Sequence, residues 1–335
     1  MKNRIFIIAE AGVNHNGSLA LAKKMVQEAA AIGADAIKFQ TFKARNLLSR
    51  SAPKAPYQRK NTPAKLTQYA MLKKLELDAS AHRELIECCR SNRISFLSSA
   101  FDLASVDLLS GLGVKIFKIP SGEITNLPYL RKVGALKKEV LLSTGMADMK
   151  EVGAALGVLV AEGTKKGHIA VLQCTTEYPS LVEDAHLNAM VAMRDTFKVR
   201  VGYSDHTPGI EISLAAAALG AEIIEKHFTI DNALPGPDHR SSLEPKAFRA
   251  LVESIRNIEK ALGCGIKKPS VSELANRAAI RKSIVALGNI KKGDVFTDEN
   301  IAAKRPGTGI SPMKWDAVVG TVAQRNFKAD DLIRL

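Results

Sequence analysis

Short apolar, β-branched runs that end in polar or charged residues recur along most of the chain. They are Ile5–Glu10, Ala36–Gln40, Ser95–Ser99, Ile116–Glu123, Val140–Ser143, Ala170–Thr176, Val199–His206 and Ile223–His227. Apolar runs without strict alternation suit strands buried on both faces, as in parallel sheets. Stretches of helical spacing lie between them. After Asn16-Gly17-Ser18, the apolar residues Ala22, Met25, Val26, Ala29 and Ala30 fall on one helical stripe, and Gly33 is placed to stop that helix. Eight strand–helix repeats over about 250 residues predict a (β/α)₈ TIM barrel. The rival is an open doubly wound sheet, but no Gly-rich fingerprint follows the first run.

The last barrel helix is expected near Pro245, with Phe248, Leu251, Val252, Ile255, Ile258 and Leu262 on one face and Gly263 as its stop. The expected organisation is a barrel over 1–263, a linker over 264–275 and a small domain over 276–335. The small domain holds short runs at Ser283–Ala286, Val295–Thr297, Ile301–Ala303 and Val318–Ala323, separated by turns such as Pro306-Gly307-Thr308-Gly309. At its size it is expected to lean on the barrel or on a partner subunit.

Charge changes the picture next. Lys+Arg 48 against Asp+Glu 34 gives a formal net charge of +14. That excess fits either a nucleic-acid binder or an enzyme that attracts anionic substrates. The basic residues are dispersed and aromatics are only 5%, so no stacking platform exists for single strands, and nucleic acid is the weaker reading. Cys88, Cys89, Cys174 and Cys264 form no C-x-x-C pair, which argues against a disulfide framework or a thiolate zinc site. Glu10 interrupts the apolar start, and no stretch is long enough to span a membrane, so a cytoplasmic protein is expected.

In a TIM barrel the chemistry sits at the carboxyl ends of the strands. Those ends carry Glu10, Lys38, Gln40, Ser99, Lys118, Ser121, Glu123, Ser143, Tyr178, Ser204, Asp205, His206, Glu225 and His227. His206 and His227 end neighbouring strands and could bind one divalent cation through neutral nitrogens, or be two satisfied structural histidines. Lys38 and Lys118 with the serines make a cationic, hydroxyl-rich ring suited to phosphate and carboxylate. A rim lysine could instead form a Schiff base, as in an aldolase. Glu123, after the Pro120-Ser121-Gly122 turn, is expected at the mouth for proton transfer, or as a lysine's counter-ion. Asp238, in a constrained loop after the last strand, could bind sugar hydroxyls, and His239, some distance along that loop, could be a third ligand but is the weakest candidate. The connection from about Phe42 to Lys74 is long enough to be an active-site loop.

The segments Ile7-Ile8-Ala9-Glu10-Ala11-Gly12-Val13-Asn14-His15-Asn16-Gly17, Ile37-Lys38-Phe39-Gln40, Phe117-Lys118-Ile119-Pro120-Ser121-Gly122-Glu123, Leu142-Ser143-Thr144-Gly145-Met146, Tyr203-Ser204-Asp205-His206-Thr207 and Glu225-Lys226-His227-Phe228-Thr229 resemble the motifs of the sialic acid synthase (N-acetylneuraminate synthase) family. Lys304-Arg305-Pro306-Gly307-Thr308-Gly309-Ile310-Ser311-Pro312 resembles its C-terminal antifreeze-like (SAF, β-clip) domain. The resemblance implies condensation of phosphoenolpyruvate with N-acetylmannosamine, releasing phosphate. It implies Mn²⁺ or a similar cation on His206 and His227, with Glu123 and Glu10 beside them in the chemistry. It further implies phosphoenolpyruvate on Lys38, Ser99, Lys118, Ser121, Ser143 and Ser204, and the sugar on Glu10, Gln40, Tyr178 and Asp238. Arg305 would reach into a partner's barrel, implying a domain-swapped homodimer. Departures from the family pattern fall at Ser99-Ala100, at Gln173 and at Thr175-Thr176. Lys54-Ala55-Pro56-Tyr57-Gln58 and Ile124–Lys132 also resemble legionaminic acid synthases, which take a diacetamido-trideoxy sugar, so that acceptor is the alternative. An inactive carbohydrate- or ice-binding protein is the reading from another class.

Overall fold

Among residues 4–335, which a computed structural model describes, eight parallel strands close a barrel in sequence order. They are β1 (Phe6–Gly12), β2 (Ala36–Thr41), β3 (Ser95–Ala100), β4 (Ile116–Ile119), β5 (Glu139–Ser143), β6 (Ile169–Cys174), β7 (Arg200–Asp205) and β8 (Ile223–His227). The TIM barrel predicted from the repeat is therefore the fold. The fourth run overshoots: Pro120 has no N–H to continue the ladder, and Ser121–Glu123 turn into a 3₁₀ helix.

The helix Leu19–Ile32 forms as its pattern predicts. The Ser18 side chain accepts from the Leu21 N–H at its start, and Gly33 at φ 92° ends it in the left-handed region, where a side chain would be strained. Its buried stripe is Ala22, Met25, Val26, Ala29 and Ile32. The closing helix Pro245–Ala261 has proline in its first turn and buries Phe248, Leu251, Val252 and Ile255. Burying each large side chain of this kind contributes about 1.5–3 kcal/mol.

Strand geometry then sorts the barrel's inward residues into layers. Ile8, Ala36, Leu97, Leu141, Ala170, Leu172 and Ile223 form a buried apolar cluster of their own, apart from the larger core that includes the helices. Two residues further along each strand, on the same face, come Glu10, Lys38, Ser99, Ser143, Cys174 and Glu225. An apolar plug thus carries a polar layer directly above it.

The long connection after β2 is a folded cover. It forms the short helices Ala44–Leu47, Pro56–Asn61 and Gln68–Leu75, with a satellite core of Val13, Phe42, Ala44, Met71, Leu72 and Leu75. Among the described residues, no helix is long and apolar enough to cross a membrane.

Contacts divide the chain between Cys264 and Gly265. The second unit opens with a helix, Val271–Ile280, where the sequence reading placed linker up to residue 275. Ser270 and Glu273 form its capping box, a local signal that outweighs the polar composition. β9 (Ser283–Ala286) and β10 (Ile301–Lys304) pair antiparallel. The short runs at Val295–Thr297 and Val318–Ala323 do not become strands: Val295 makes an isolated bridge to Val322, and Trp315–Val318 is a helical turn. Ile284, Phe296, Ile301, Val318 and Phe327 nevertheless share one buried core.

Candidate active site

The polar layer of the barrel lines a cavity of about 910 Å³. At its floor, Lys38 Nζ lies 3.1 Å from Glu10 Oε2 and 3.5 Å from Glu225 Oε2, and donates to Ser99 Oγ at 3.0 Å. Lys118 Nζ donates to Ser143 Oγ at 2.6 Å and lies 3.3 Å from Glu225 Oε1, which also accepts from Ser204 Oγ at 2.9 Å. Two cations and two carboxylates thus alternate with three hydroxyls on one buried floor. The local cause is the two-residue strand period; the meeting of β1, β2 and β8 is supplied by barrel closure.

The environment separates the two carboxylates. Burial pushes the Glu10 carboxyl well up, only partly offset by Lys38. Burial acts on Glu225 in the same sense, but Lys118 and Lys38 outweigh it and hold that group ionised. Carboxyls pushed apart in this way are the usual signature of distinct proton-transfer roles.

His206 and His227 stand beside this floor, their ring centroids 5.6 Å apart. Burial lowers His206 to about 4 and His227 well below its usual value, so both imidazoles are neutral. The His206 Nδ1 bonds to the Thr175 carbonyl, which fixes the proton on Nδ1 and leaves Nε2 a lone pair. The His227 Nδ1 is buried with no hydrogen-bond partner. Neutral rings with unengaged nitrogens in a polar cavity fit a divalent cation. Among the described residues no cluster of three or more His, Cys, Asp or Glu could hold a metal ion, so a cation here would draw its remaining ligands from substrate or water. His239 adds none: Nδ1 bonds Thr229 Oγ1 and Nε2 bonds Asn16 Oδ1.

Tyr178 packs on His206 at 4.2 Å between ring centroids, and on Tyr57 at 4.9 Å. The Tyr57 side chain faces Asp238, a residue only 5% exposed, whose carboxyl is pushed up to about 6 by burial. Asn61 Nδ2 donates to the Pro237 carbonyl at 2.9 Å, tying the cover over β2 to the loop after β8. Gln40 lines the same cavity. Ser121 lines it too and accepts from the Gly145 N–H at 3.0 Å; a Cβ on Gly145 would stand 2.1 Å from Thr176 Oγ1, so a larger residue there would displace the side chains around it.

Most of the predicted rim residues meet in this cavity. Glu123 does not line it: it lies in the 3₁₀ turn, off the strand alternation, and its carboxylate accepts from Asn126 Nδ2. Arg305 is an exposed residue of the second unit. The sequence reading placed Glu225 at the rim but gave it no role; it joins the floor two residues before His227 on the same strand face. It also assigned no site role to Tyr57, which sits within the Lys54–Gln58 stretch, or to Gln68, which carries no local motif; both line the cavity from the cover.

A family model described as NeuB family matches residues 25–267, and a SAF domain model matches residues 281–335. The chain belongs to the NeuB family. An N,N'-diacetyllegionaminic acid synthase of Campylobacter jejuni subsp. jejuni is 55% identical over 99% of each chain. One from Legionella pneumophila is 47% identical over 97% of this chain and 92% of its own. The solved N-acetylneuraminic acid (sialic acid) synthetase of Leptospira borgpetersenii, in complex with citrate, superposes with a TM-score of 0.72 at 35% identity, covering 82% of this chain and 90% of its own. This order corrects the sequence reading, which ranked sialic acid synthases first: the full-length likeness to two legionaminic acid synthases is considerably higher.

Proposed function

We propose that this enzyme condenses phosphoenolpyruvate with 2,4-diacetamido-2,4,6-trideoxymannose to give N,N'-diacetyllegionaminate and phosphate. As a member of the NeuB family it is a phosphoenolpyruvate-dependent synthase of nonulosonic acids. N-acetylmannosamine, the acceptor expected first from sequence, gives way because 55% and 47% identity tie the chain to legionaminic acid synthases. The 55% match over the full length is the observation that carries the acceptor.

The floor supports the donor half of the reading. Lys38 and Lys118 present ammonium groups, and Ser99, Ser121, Ser143 and Ser204 present hydroxyls, to the phosphate and carboxylate of phosphoenolpyruvate. Gln40, Glu10, Tyr178 and Asp238 are assigned to the acceptor. In the reaction the methylene carbon of phosphoenolpyruvate bonds to the aldehyde carbon, whose oxygen becomes a hydroxyl. A water oxygen adds at the former enol carbon, and phosphate departs with C–O cleavage. Glu10 is the cavity carboxyl poised to exchange a proton, and Glu123, next in the chain to the cavity-lining Ser121 and Gly122, is assigned to the attacking water. His206 and His227 would hold a divalent cation, Mn²⁺ first, which when bound supplies Lewis-acid polarisation of the aldehyde.

The assembly proposed is a domain-swapped homodimer in which Arg305 completes a partner's site. The cytoplasm is its proposed location, in keeping with four free cysteines.

Phosphate release and product mass, measured with phosphoenolpyruvate, Mn²⁺ and each of the two sugars, test the reaction. Higher kcat/KM on the diacetamido sugar is expected; turnover of N-acetylmannosamine alone would overturn the acceptor. Substrate trapped on Lys38 or Lys118 by borohydride would replace the condensation by a Schiff-base aldolase.

A further inference from the structure

Gln68 opens the helix Gln68–Leu75 and lines the cavity, yet its Oε1 is buried with no hydrogen-bond partner. Buried polar atoms are nearly always paired, so an orphaned acceptor on a cavity-lining side chain marks a place where a ligand donor belongs. Its surroundings narrow that donor. Leu72 lies one helical turn on, at i+4, and lines the same cavity, as do Leu47, Leu48 and Tyr57 from the same cover. Leu72 belongs to the satellite core, with Leu47 and Leu48 packed against it, so the wall is fixed.

An unpartnered carbonyl on a cavity wall shared with leucines does not suit phosphoenolpyruvate, whose ionised phosphate and carboxylate carry no donor for it. A hydroxyl would satisfy the carbonyl but leave the leucines facing water. A secondary amide bearing a methyl group satisfies both: its N–H meets the carbonyl and its methyl covers the leucines.

We propose that Gln68 is a specificity-determining residue, its Oε1 taking the N–H of the acceptor's second acylamino group while Leu47, Leu48 and Leu72 hold the acyl methyl. This rests on the diacetamido-trideoxy acceptor proposed above, and it names the part of the site that separates that sugar from N-acetylmannosamine, which carries a hydroxyl in place of the second amide.

The test compares kcat/KM on the two sugars, at saturating phosphoenolpyruvate and Mn²⁺, for the wild-type enzyme, Gln68→Met and Gln68→Glu. Gln68→Met keeps the shape and removes the acceptor; its preference for the diacetamido sugar should fall about 10-fold, the scale of one lost hydrogen bond, and the loss should lie in KM. Gln68→Glu keeps an acceptor in that place and should retain most of the preference, which makes it the readout if Gln68→Met folds poorly by its melting temperature. An unchanged ratio in Gln68→Met, or equal loss of preference in both variants, overturns the role of Gln68 while leaving the acceptor intact. A wild-type enzyme that turns over only N-acetylmannosamine overturns the acceptor, and this inference with it.

Discussion

Lys226 Nζ lies 2.7 Å from Asp205 Oδ2, with both side chains buried, one residue before each of the two cavity histidines. The strand period puts this pair on the outer face of β7 and β8 and the histidines on the inner side. Asp205 also accepts from the Thr207 N–H and hydroxyl and from Ser213 Oγ, while Lys226 donates to the Thr207 carbonyl. The pair therefore clamps the strand ends that aim His206 and His227. Lys226→Met should destabilise the barrel by roughly 3–5 kcal/mol, because it leaves a buried carboxylate without its cation. Adding Asp205→Asn should recover part of that loss in urea unfolding; no shift for Lys226→Met would rule out the clamp.

Replacing either histidine tests the cation. His206→Ala or His227→Ala should lower kcat by ~10²–10³-fold, the scale of removing one electrostatic stabiliser at a reacting centre. Mn²⁺ titration by calorimetry gives the independent readout: the wild type should bind the ion and each variant should bind it far more weakly. Full turnover in excess chelator would remove the metal from the mechanism.

Asp238 predicts a pH effect with a defined sign. Its folded value is raised from 3.8 to about 6 by burial, so the neutral acid is the favoured buried form. Its contribution to stability is complete below the unfolded value and is lost as pH rises through about 6. Asp238→Asn, which stays neutral, should gain on the wild type by up to about 3 kcal/mol between pH 4 and pH 7. Denaturant midpoints of the two proteins across that range measure it, and parallel curves would count against the raised value.

Arg305→Ala tests the proposed assembly. A charged hydrogen bond lost from the acceptor side would weaken sugar use by ~1–3 kcal/mol and leave phosphoenolpyruvate binding intact. An exposed arginine without a partner would show almost no change. Mixing Arg305→Ala with Glu10→Gln decides between a shared and a private site. In a shared arrangement a mixed dimer has one site with both residues intact and regains activity; no recovery in subunits shown to exchange would exclude the swap.

The sequence by itself determined the barrel, because continuous apolar runs ending in polar residues specify strands buried on both faces, and their repeat leaves only one closed arrangement. It also determined which residues stand at the rim: Glu10, Lys38, Ser99, Ser143, Ser204 and His227 each lie at or within two residues of the end of a run, and a strand's position and face are local properties. Tertiary structure alone decided which of them meet. Glu225 reaches Lys38 beside Glu10 only because β8 returns to β1, a contact between opposite ends of the barrel that no local pattern encodes. The turn after Pro120 decided where Glu123 points, since a side chain leaving a 3₁₀ helix no longer follows strand alternation. Tyr57 and Gln68 entered the site through the folding of the cover over β2, where the packing of Leu72 and its neighbours sets the direction of every side chain. In the second unit the short runs were too brief to register as strands, and pairing with distant residues settled which became β9 and β10.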